Sequence, residues 1–311
     1  MRMLLPATAL LLAMTALHAR DALDAPLVGE NLIENGSFEL SPIGPVDAGE
    51  VPEGWLVEAY GRDGQLTIVQ DAAPGEGAQS VQMTNTPEDS KTGLHGPFIE
   101  IDPTQAYVQF GWMKIAEDAE PYRLLYGRQW FDAERKPCDQ EHSRSYNYTP
   151  QPDTIPARWQ FTKQLFLPDQ TPDDGRFASD EIPANARYLK IWALAYDCVG
   201  TGYFDGLGLY RVDYGSVARE AILGAMEEAD ADAIRAEIEA MLADLPGDHS
   251  LYARAQELLA ELARVRSEAT QDQQRHVHDW IADRKRAPEL MDELDSLRWE
   301  MKIEALLRTA G

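Results

Sequence analysis

The chain contains 311 residues, with 53 aspartates and glutamates against 28 lysines and arginines, and its formal net charge is −25. So large an excess of acids excludes the basic surface that nucleic acid binding needs. The length permits one large β-domain together with a smaller unit.

The N-terminal segment has the features of a secretory signal peptide. Arg2 is followed by a largely apolar run over residues 3–17 and by the small residue Ala19. This run is shorter than the roughly 20 apolar residues that a membrane-spanning helix needs. We therefore expect a signal peptide at 1–19, a linker at 20–30, and a secreted mature chain, extracellular or periplasmic, without a membrane span.

The two cysteines of the chain are Cys138 and Cys198. An exported protein folds in an oxidising compartment, where a pair of cysteines is usually bridged. We therefore expect one disulfide between them.

Residues 31–213 show the pattern of many short strands separated by Gly, Pro, Asn and Asp. Such a pattern, without helical periods between the strands, predicts an antiparallel β-sandwich or jelly roll. The segments with the strongest strand character are Leu66–Gln70, Ser80–Asn85, Tyr107–Ile115, Leu124–Asp132, Arg158–Leu167, Tyr188–Tyr196 and Gly202–Val212. In one of these strands Trp159, Phe161 and Leu165 share one face, which predicts that Trp159 lies in the core.

Residues 214–311 have a different period. Leucine, isoleucine and methionine recur every three or four residues, which is typical of amphipathic helices. Helical stretches are predicted at 218–245 and at 251–284, with a stop at Pro246-Gly247, and Pro288 is predicted to lie inside the first turn of a third helix. The expected fold is thus a jelly-roll β-sandwich followed by a C-terminal α-helical hairpin or three-helix bundle. This helical tail could mediate protein contacts or oligomerisation.

Four segments carry a resemblance to a known family. They are Asn31–Glu39 (NLIENGSFE), Pro52–Trp55 (PEGW), Ala78–Met83 (AQSVQM) and Gly202–Gly206 (GYFDG). Together they resemble the carbohydrate-binding modules of families 4, 9 and 22 and the wider galactose-binding-like jelly rolls. The resemblance covers the whole predicted sandwich and implies non-catalytic binding of a polysaccharide or glycan.

In those modules a structural calcium joins the first strand to the last. The resemblance places its carboxylate ligands at Glu39 and Asp205, with backbone oxygens near Gln79. Calcium takes several oxygen ligands, so one ion can hold both ends of a domain together. The alternative is that Glu39 is a solvated surface acid and that Asp205 only stabilises a turn.

Two strands place aromatic rings among polar side chains at alternate positions, so that both kinds share one face of each strand. In the second strand Leu189, Ile191 and Ala193 occupy the opposite positions, and such an apolar face belongs in a core. Outward rings flanked by hydrogen-bond donors suit a sugar. The predicted ligand-binding residues are Tyr126, Arg128, Trp130, Tyr188, Lys190 and Trp192. These rings could equally pack under a loop or against the helical tail.

Motifs for catalysis are absent from the sequence. It contains no G-x-S-x-G elbow, P-loop or dinucleotide fingerprint, and His276 and His278 are two apart, so on a helix they point to different faces. A glycosidase carboxylate pair stays open, because sequence gives no distances. We expect no enzyme activity. The alternatives are an extracellular structural or adhesion protein that contacts other proteins, and the N-terminal part of a larger carbohydrate-active enzyme.

Overall fold

The computed structural model describes residues 26–310, except for 48–49, 63, 87–90, 118–122, 139–143, 149–156, 170–179, 197–198 and 272–274. The predicted signal peptide, residues 1–19, lies outside these ranges. The chain divides into two compact units, and the boundary along the sequence lies between Val212 and Asp213. The first unit is built from strands and the second from helices.

The described part of the first unit contains fourteen strands. They are β1 (Leu27–Val28), β2 (Gly44–Pro45), β3 (Leu56–Arg62), β4 (Gln65–Val69), β5 (Ser80–Asn85), β6 (Lys91–His95), β7 (Ile99–Glu100), β8 (Ala106–Ile115), β9 (Arg123–Phe131), β10 (Arg144–Tyr148), β11 (Gln160–Pro168), β12 (Glu181–Ile182), β13 (Tyr188–Tyr196) and β14 (Gly200–Val212). All seven predicted strands are present, and β5 and β13 have the predicted bounds. The short strand β1 lies inside the predicted linker and pairs with the end of β14.

The strands form two sheets, which confirms the predicted β-sandwich. The eight-stranded sheet has the order β12-β11-β8-β14-β5-β4-β2, with β1 also paired to β14. The six-stranded sheet has the order β10-β9-β13-β6-β3, with β7 also paired to β13. All pairs are antiparallel except that between β11 and β12. Buried side chains of both sheets form one hydrophobic core.

The opening motif of the sandwich is bound to a bulge in the last strand. The pairing of β14 with β8 skips two residues after Asp205, so that the backbone of Leu207 is free of β8. The Leu207 N–H donates to the Gly36 carbonyl (3.0 Å), and its carbonyl accepts from Asn31 Nδ2 (3.0 Å). A Cβ on Gly36 would collide with the Leu207 carbonyl oxygen. Only glycine therefore allows this close approach.

Two rings anchor the same motif from the inside. Phe38 is fully buried and stacks on Trp55, with 5.4 Å between the ring centroids. The Trp55 indole N–H donates to the Asn35 carbonyl (3.2 Å), and the Asn35 side chain donates to the Glu53 carbonyl (2.8 Å). The Pro-Glu-Gly-Trp turn and the first motif are thus parts of one packed cluster.

The register of β13 and β9 determines which side chains reach the core. Leu189 is paired with Trp130 and Ala193 with Tyr126, and residues paired directly across a sheet point to the same face. All four belong to the hydrophobic core. The prediction that Tyr126 and Trp130 point outward is therefore wrong.

The orientation predicted for β11 is also wrong. Phe166 pairs with Tyr107, and both rings are buried in the core. Trp159 and Phe161 have the opposite parity and lie half-buried on the outer face, where Trp159 contacts Tyr203 edge-on at 6.1 Å. The alternation of apolar residues did not predict the orientation, because both faces of β11 carry apolar residues. On the outer face, Phe161 packs against the rings of Phe110 and Trp112.

The predicted disulfide is not present in the structure. Cys138 is a free thiol that packs against the core, and Cys198 lies outside the described residues. The Cys138 N–H donates to the carbonyl of Trp130, which is paired with Leu189 near the start of β13. Tyr196 is at the other end of β13. It lies seven residues from Leu189 along the strand, which corresponds to about 23 Å. Burial, and secondarily the charge of Asp132, raises the pKa of the Cys138 thiol to about 12.

The described part of the second unit contains four helices, which confirms a helical region, although with other boundaries. They are α1 (Tyr214–Glu228), α2 (Ala231–Leu242), α3 (Ser250–Thr270) and α4 (Val277–Ala310). The first predicted stretch is interrupted at Asp230, which has a left-handed conformation (φ 53°). Pro288 lies in the interior of α4, eleven residues after its start, instead of in the first turn of a separate helix. Within the described ranges, no helix combines the length and the apolarity needed to span a bilayer.

The two tryptophans Trp130 and Trp159 test the assignment of the faces. Trp130→Ala should lower the free energy of unfolding by about 3–5 kcal/mol, because it leaves a cavity in the core. Trp159→Ala should cost only about 1–2 kcal/mol, because its ring is half-buried. Denaturant unfolding followed by fluorescence measures both values. An equal or larger cost for Trp159→Ala would contradict the register described here.

Candidate functional site

The outer face of the six-stranded sheet is the face turned away from the core. On β13 it carries Tyr188, Lys190, Trp192, Leu194 and Tyr196, since the residues between them are buried in the core. The register adds Lys91 and His95 from β6 and Gln129 and Phe131 from β9. None of these outer positions of β6, β9 and β13 holds an Asp or Glu. These positions combine rings with Lys91 and Lys190, and β7 adds the exposed acid Glu100, which pairs with Tyr188.

One end of this face holds an aromatic–cation cluster, formed by Phe98, Phe131, Tyr188, Lys190 and Arg135. Phe98 is its centre and contacts Phe131 (5.0 Å) and Tyr188 (5.9 Å) edge-on. Lys190 Nζ lies 4.4 Å from the centroid of Phe98, and Arg135 Cζ lies 4.9 Å from the same centroid. Arg135 Cζ is also 5.2 Å from the Tyr188 centroid. Both Lys190 and Arg135 therefore form a cation–π contact with the ring of Phe98.

A hairpin turn presents Arg135 to the cluster. The Asp132 carboxylate accepts hydrogen bonds from the N–H groups of Glu134 (3.0 Å) and Lys136 (2.8 Å). Arg135 adopts a left-handed conformation (φ 60°) at the tip of this turn and is exposed. The turn therefore holds the backbone of Arg135, while its guanidinium remains accessible to solvent beside the rings.

Further along the same face, Lys91 and His95 each lie beside an aromatic ring. Lys91 Nζ lies 4.6 Å from the Tyr196 centroid, and the rings of His95 and Trp192 are 6.3 Å apart. The Trp192 side chain faces away from the core as predicted, but only 6% of the residue's surface is exposed. Accessible aromatic surface is consequently greater at the aromatic–cation cluster than at Trp192.

The structure brings together only some of the predicted ligand-binding residues. Tyr188, Lys190 and Trp192 share the outer face, whereas Tyr126, Arg128 and Trp130 point into the sandwich. Arg128 is 1% exposed, its Cζ lies 3.7 Å from the centroid of Phe166, and its Nη1 donates to Gln164 Oε1 (3.2 Å). Burial lowers the pKa of its guanidinium to about 9. The sequence of β9 did not reveal this orientation, because both faces of the strand carry apolar residues and its inner face buries an arginine.

Phe98 and Arg135 were not predicted as site residues. Phe98 follows Gly96-Pro97 outside any predicted strand, and Arg135 lies in a polar turn. A Gly-Pro pair followed by an aromatic residue is a weak signal for an exposed ring. Only the pairing of β7 and β9 with β13 places these two residues beside Lys190.

The predicted calcium ligands lie at the bulge in β14. Asp205 is fully buried, and its carboxylate accepts from the N–H groups of Ala73 (2.7 Å) and Gly206 (2.7 Å). Glu39 Oε1 accepts from the N–H groups of Ala78 and Gln79, both at 2.7 Å. Gln79 therefore meets Glu39 through its own N–H, and its amide nitrogen also reaches the Glu39 carbonyl (3.3 Å).

A third carboxylate, that of Glu76, lies near the other two. It accepts from the indole N–H of Trp112 (3.3 Å) and lies against Gly206. Burial raises the pKa of Asp205 to about 8, its two backbone hydrogen bonds oppose this shift, and the charges of Glu76 and Glu39 add to it. Burial also raises the pKa of Glu76. Glu39, Glu76 and Asp205 are named the carboxylate cluster below.

The donor chemistry of the carboxylate cluster fits calcium. Among the described residues, no Lys or Arg forms an ion pair with its three members, and Gln79 Oε1 is buried without a hydrogen-bond partner. Carboxylate and amide oxygens are the ligands that calcium takes. Within the same described ranges, no three His, Cys, Asp or Glu side chains already converge on one metal position. Ion binding would therefore require the three carboxylates to move closer together.

Comparisons with known proteins give structural likenesses at low identity. No family model and no curated protein matches the chain. The chain is similar to the enzymatically active domain of tailspike protein 4 from bacteriophage CBA120, with 13% identity and a TM-score of 0.43, over 58% of this chain and 21% of that one. It therefore spans only about a fifth of that tailspike domain.

Two further similar structures are carbohydrate-binding modules. One is the CBM22-1 xylan-binding domain from Paenibacillus barcinonensis Xyn10C, with 14% identity and a TM-score of 0.37, over 60% of this chain and 98% of that one. The other is TmCBM61, solved in complex with β-1,4-galactotriose, with 12% identity and a TM-score of 0.36, over 59% and 99% of the two chains. Because these TM-scores are below 0.5, the functional proposal is based on the side chains of this chain.

Proposed function

We propose that the chain is a non-catalytic glycan-binding protein whose site is the outer face of the six-stranded sheet. The observation that carries the proposal is the aromatic–cation cluster, in which Phe98 and Tyr188 stand beside Lys190 and Arg135. Pyranose rings present C–H groups that pack on aromatic faces, and lysine and arginine donate hydrogen bonds to sugar oxygens. The sheet holds Tyr188 and Lys190 in place before the ligand arrives, and the Asp132 turn holds the backbone of Arg135, which lowers the entropic cost of binding.

A binding role agrees with the remaining features of the chain. The N-terminal sequence favours secretion, which would expose the sandwich to extracellular or periplasmic polysaccharides. The opening and closing motifs of the sandwich resemble those of carbohydrate-binding modules, as noted above. The proposed site uses hydrogen bonding and ring stacking, and it assigns no residue to a bond-breaking step.

The face is tested by substitutions that leave the core untouched. Phe98→Ala and Tyr188→Ala should each weaken retention on polysaccharide affinity gels by about tenfold or more, because each removes an aromatic contact. Tyr210→Ala is the matched control, since Tyr210 is a half-buried ring on the eight-stranded sheet. Melting curves on all three variants separate binding from stability. Equal retention of Phe98→Ala, Tyr188→Ala and the wild type would refute the proposal that this face binds the glycan.

We propose further that calcium binds the carboxylate cluster and stabilises the sandwich. When bound, the ion would neutralise carboxylates that are now close to one another without a cationic partner. Glu39 and Asp205 would bind the ion. The Glu76 carboxylate and the buried side-chain oxygen of Gln79 are two further oxygen ligands near these carboxylates. Glu39 belongs to the opening motif and Asp205 to the last strand, so the ion would stabilise the attachment of one to the other.

The pH dependence of stability tests the cluster. In chelator, the wild type should lose stability as the pH rises from about 4 to about 8, because folded Asp205 keeps a proton that the unfolded chain has released. Asp205→Asn cannot ionise and should flatten this loss. Calcium should raise the melting temperature of the wild type at pH 8 by mass action, and it should leave Asp205→Asn unchanged.

Glu53→Gln is the control for this experiment, since Glu53 is an exposed acid outside the cluster. Its melting curves should follow those of the wild type with chelator and with calcium. A wild type whose melting temperature does not respond to calcium at pH 8 would refute the metal site, whereas a flat pH profile in chelator would refute the raised pKa of Asp205.

One observation favours a second function, self-association through the helical unit. Trp299, Ile303 and Leu306 recur along α4 at intervals of four and three residues, and each is more than half exposed. This is the spacing of a coiled-coil seam, and an unpaired seam on one helix is complementary to the same seam on a second copy. We propose that two copies of the chain associate along this stripe.

Light scattering coupled to size-exclusion chromatography tests the stripe. The wild type should elute with the mass of a dimer at high concentration, and Leu306→Glu should elute as a monomer, because it places a charge in the seam. Ala253→Glu adds the same charge at an exposed position of α3 and should not change the mass. A monomeric wild type at all concentrations would contradict self-association.

A further inference from the structure

His95 lies on β6, on the outer face of the six-stranded sheet. It pairs with Leu56 of β3 on one side and with Trp192 of β13 on the other, so the three side chains share one row across that face. Leu56 is 46% exposed, and the rings of His95 and Trp192 are 6.3 Å apart. The row is therefore an apolar surface with one imidazole in its middle.

A hydrogen bond to the backbone determines which nitrogen of His95 carries the proton. Nδ1 lies 3.0 Å from the carbonyl oxygen of Gly96, and a carbonyl oxygen only accepts, so Nδ1 donates. The N–H of Gly96 in turn donates to the Ile191 carbonyl (2.9 Å), which attaches this peptide segment to β13. In the neutral ring, Nε2 consequently has a lone pair instead of a proton.

This Nε2 atom can accept a hydrogen bond from a ligand. With the residues that the structure describes, it forms neither a hydrogen bond nor an ion pair, and His95 is partly exposed. The side chains of Lys91, Lys190 and Trp192 on the same face only donate hydrogen bonds. A sugar hydroxyl whose oxygen accepts from such a donor still needs an acceptor for its own proton. His95 provides that acceptor beside the apolar row.

We infer that His95 binds a sugar hydroxyl through Nε2, and this inference rests on the glycan binding proposed above. The neutral imidazole accepts a hydrogen bond from the hydroxyl, while its ring and Leu56 contact the C–H groups of the same sugar. Protonation replaces the lone pair of Nε2 with an N–H and ends the interaction. Histidine side chains ordinarily change charge between about pH 5 and pH 8, so glycan binding weakens as the pH falls through this range.

The other charged groups near His95 belong to the same strands and to β7. The charged residues of β3, β6, β7 and β13 other than His95 are Glu58, Arg62, Lys91, Glu100 and Lys190. Carboxylate, ammonium and guanidinium groups ordinarily titrate outside the range from pH 5 to pH 8. A pH dependence of binding that disappears when His95 is replaced therefore arises from the imidazole.

The experiment measures retention of the full chain on affinity gels that contain xylan, β-1,4-galactan or hydroxyethylcellulose, at pH 5 to pH 8. On the gel that retains the wild type best, the dissociation constant at pH 8 should be about two- to tenfold lower than at pH 5. Melting curves at each pH show that the protein is folded during the measurement. The loss of stability expected from Asp205 in chelator has the opposite direction, because it increases as the pH rises.

Two substitutions separate the hydrogen bond from packing. His95→Phe keeps a ring but removes the acceptor, so it should bind at every pH about as weakly as the wild type binds at pH 5. His95→Gln places an amide oxygen near the position of Nε2 and does not ionise, so it should bind more tightly than His95→Phe, again without pH dependence. His278→Gln is the matched control, because it removes an exposed histidine of α4, and it should follow the wild type.

A wild type that binds equally well at pH 5 and pH 8 would overturn the role of His95. The same conclusion would follow if His95→Phe kept the affinity and the pH dependence of the wild type. Either result leaves the proposed glycan-binding face standing when Phe98→Ala still weakens retention. Failure of all three gels to retain the wild type at any pH would instead count against the proposed function itself.

Discussion

The sandwich depends on the attachment of its first segment to a bulge in its last strand. The bulge frees the N–H and carbonyl of Leu207 from β8, and an unpaired buried backbone group is costly. Gly36 and Asn31 provide the partners, and the Asn31 carboxamide oxygen also accepts from the N–H of Leu209 (3.0 Å). The hydrogen bonds that β14 loses at the bulge are thus replaced by those of a segment about 170 residues earlier in the chain.

The carboxylate cluster lies beside the same bulge. Asp205 precedes the bulge, pairs with Trp112 and is fully buried; two backbone N–H groups donate to its carboxylate, and Glu76 and Glu39 lie nearby. Buried acids without a cationic partner oppose folding as they ionise, so we expect the pH dependence of stability to arise at this junction. The carboxylate cluster lies at the eight-stranded sheet and the aromatic–cation cluster lies on the six-stranded sheet, so the site proposed for stability and the site proposed for ligand binding are separate.

The aromatic side chains that the structure describes in the two sheets include three groups, which differ in the face that they occupy. Trp130 and Tyr126 fill the core, Trp159 and Phe161 pack on the outer face of the eight-stranded sheet, and Phe98 and Tyr188 stand on the outer face of the six-stranded sheet with two cations. The chemistry of a ring alone does not separate these groups. Its neighbours do, because a ring packed among other rings contributes to stability, whereas a ring beside solvent-accessible cations can contact a polar ligand.

The sequence by itself determined the fold class and the strands, because alternation, turn residues and helical periods act over neighbouring residues. The bounds of β5 and β13 and the apolar face of Leu189 and Ile191 follow from such local patterns. The orientation of β9 and β11 was decided only by the tertiary structure, since both strands carry apolar residues on both faces. Phe98 and Arg135 came together for the same reason: residues distant in sequence become neighbours only through the pairing of strands, and pairing depends on how whole faces pack into one core.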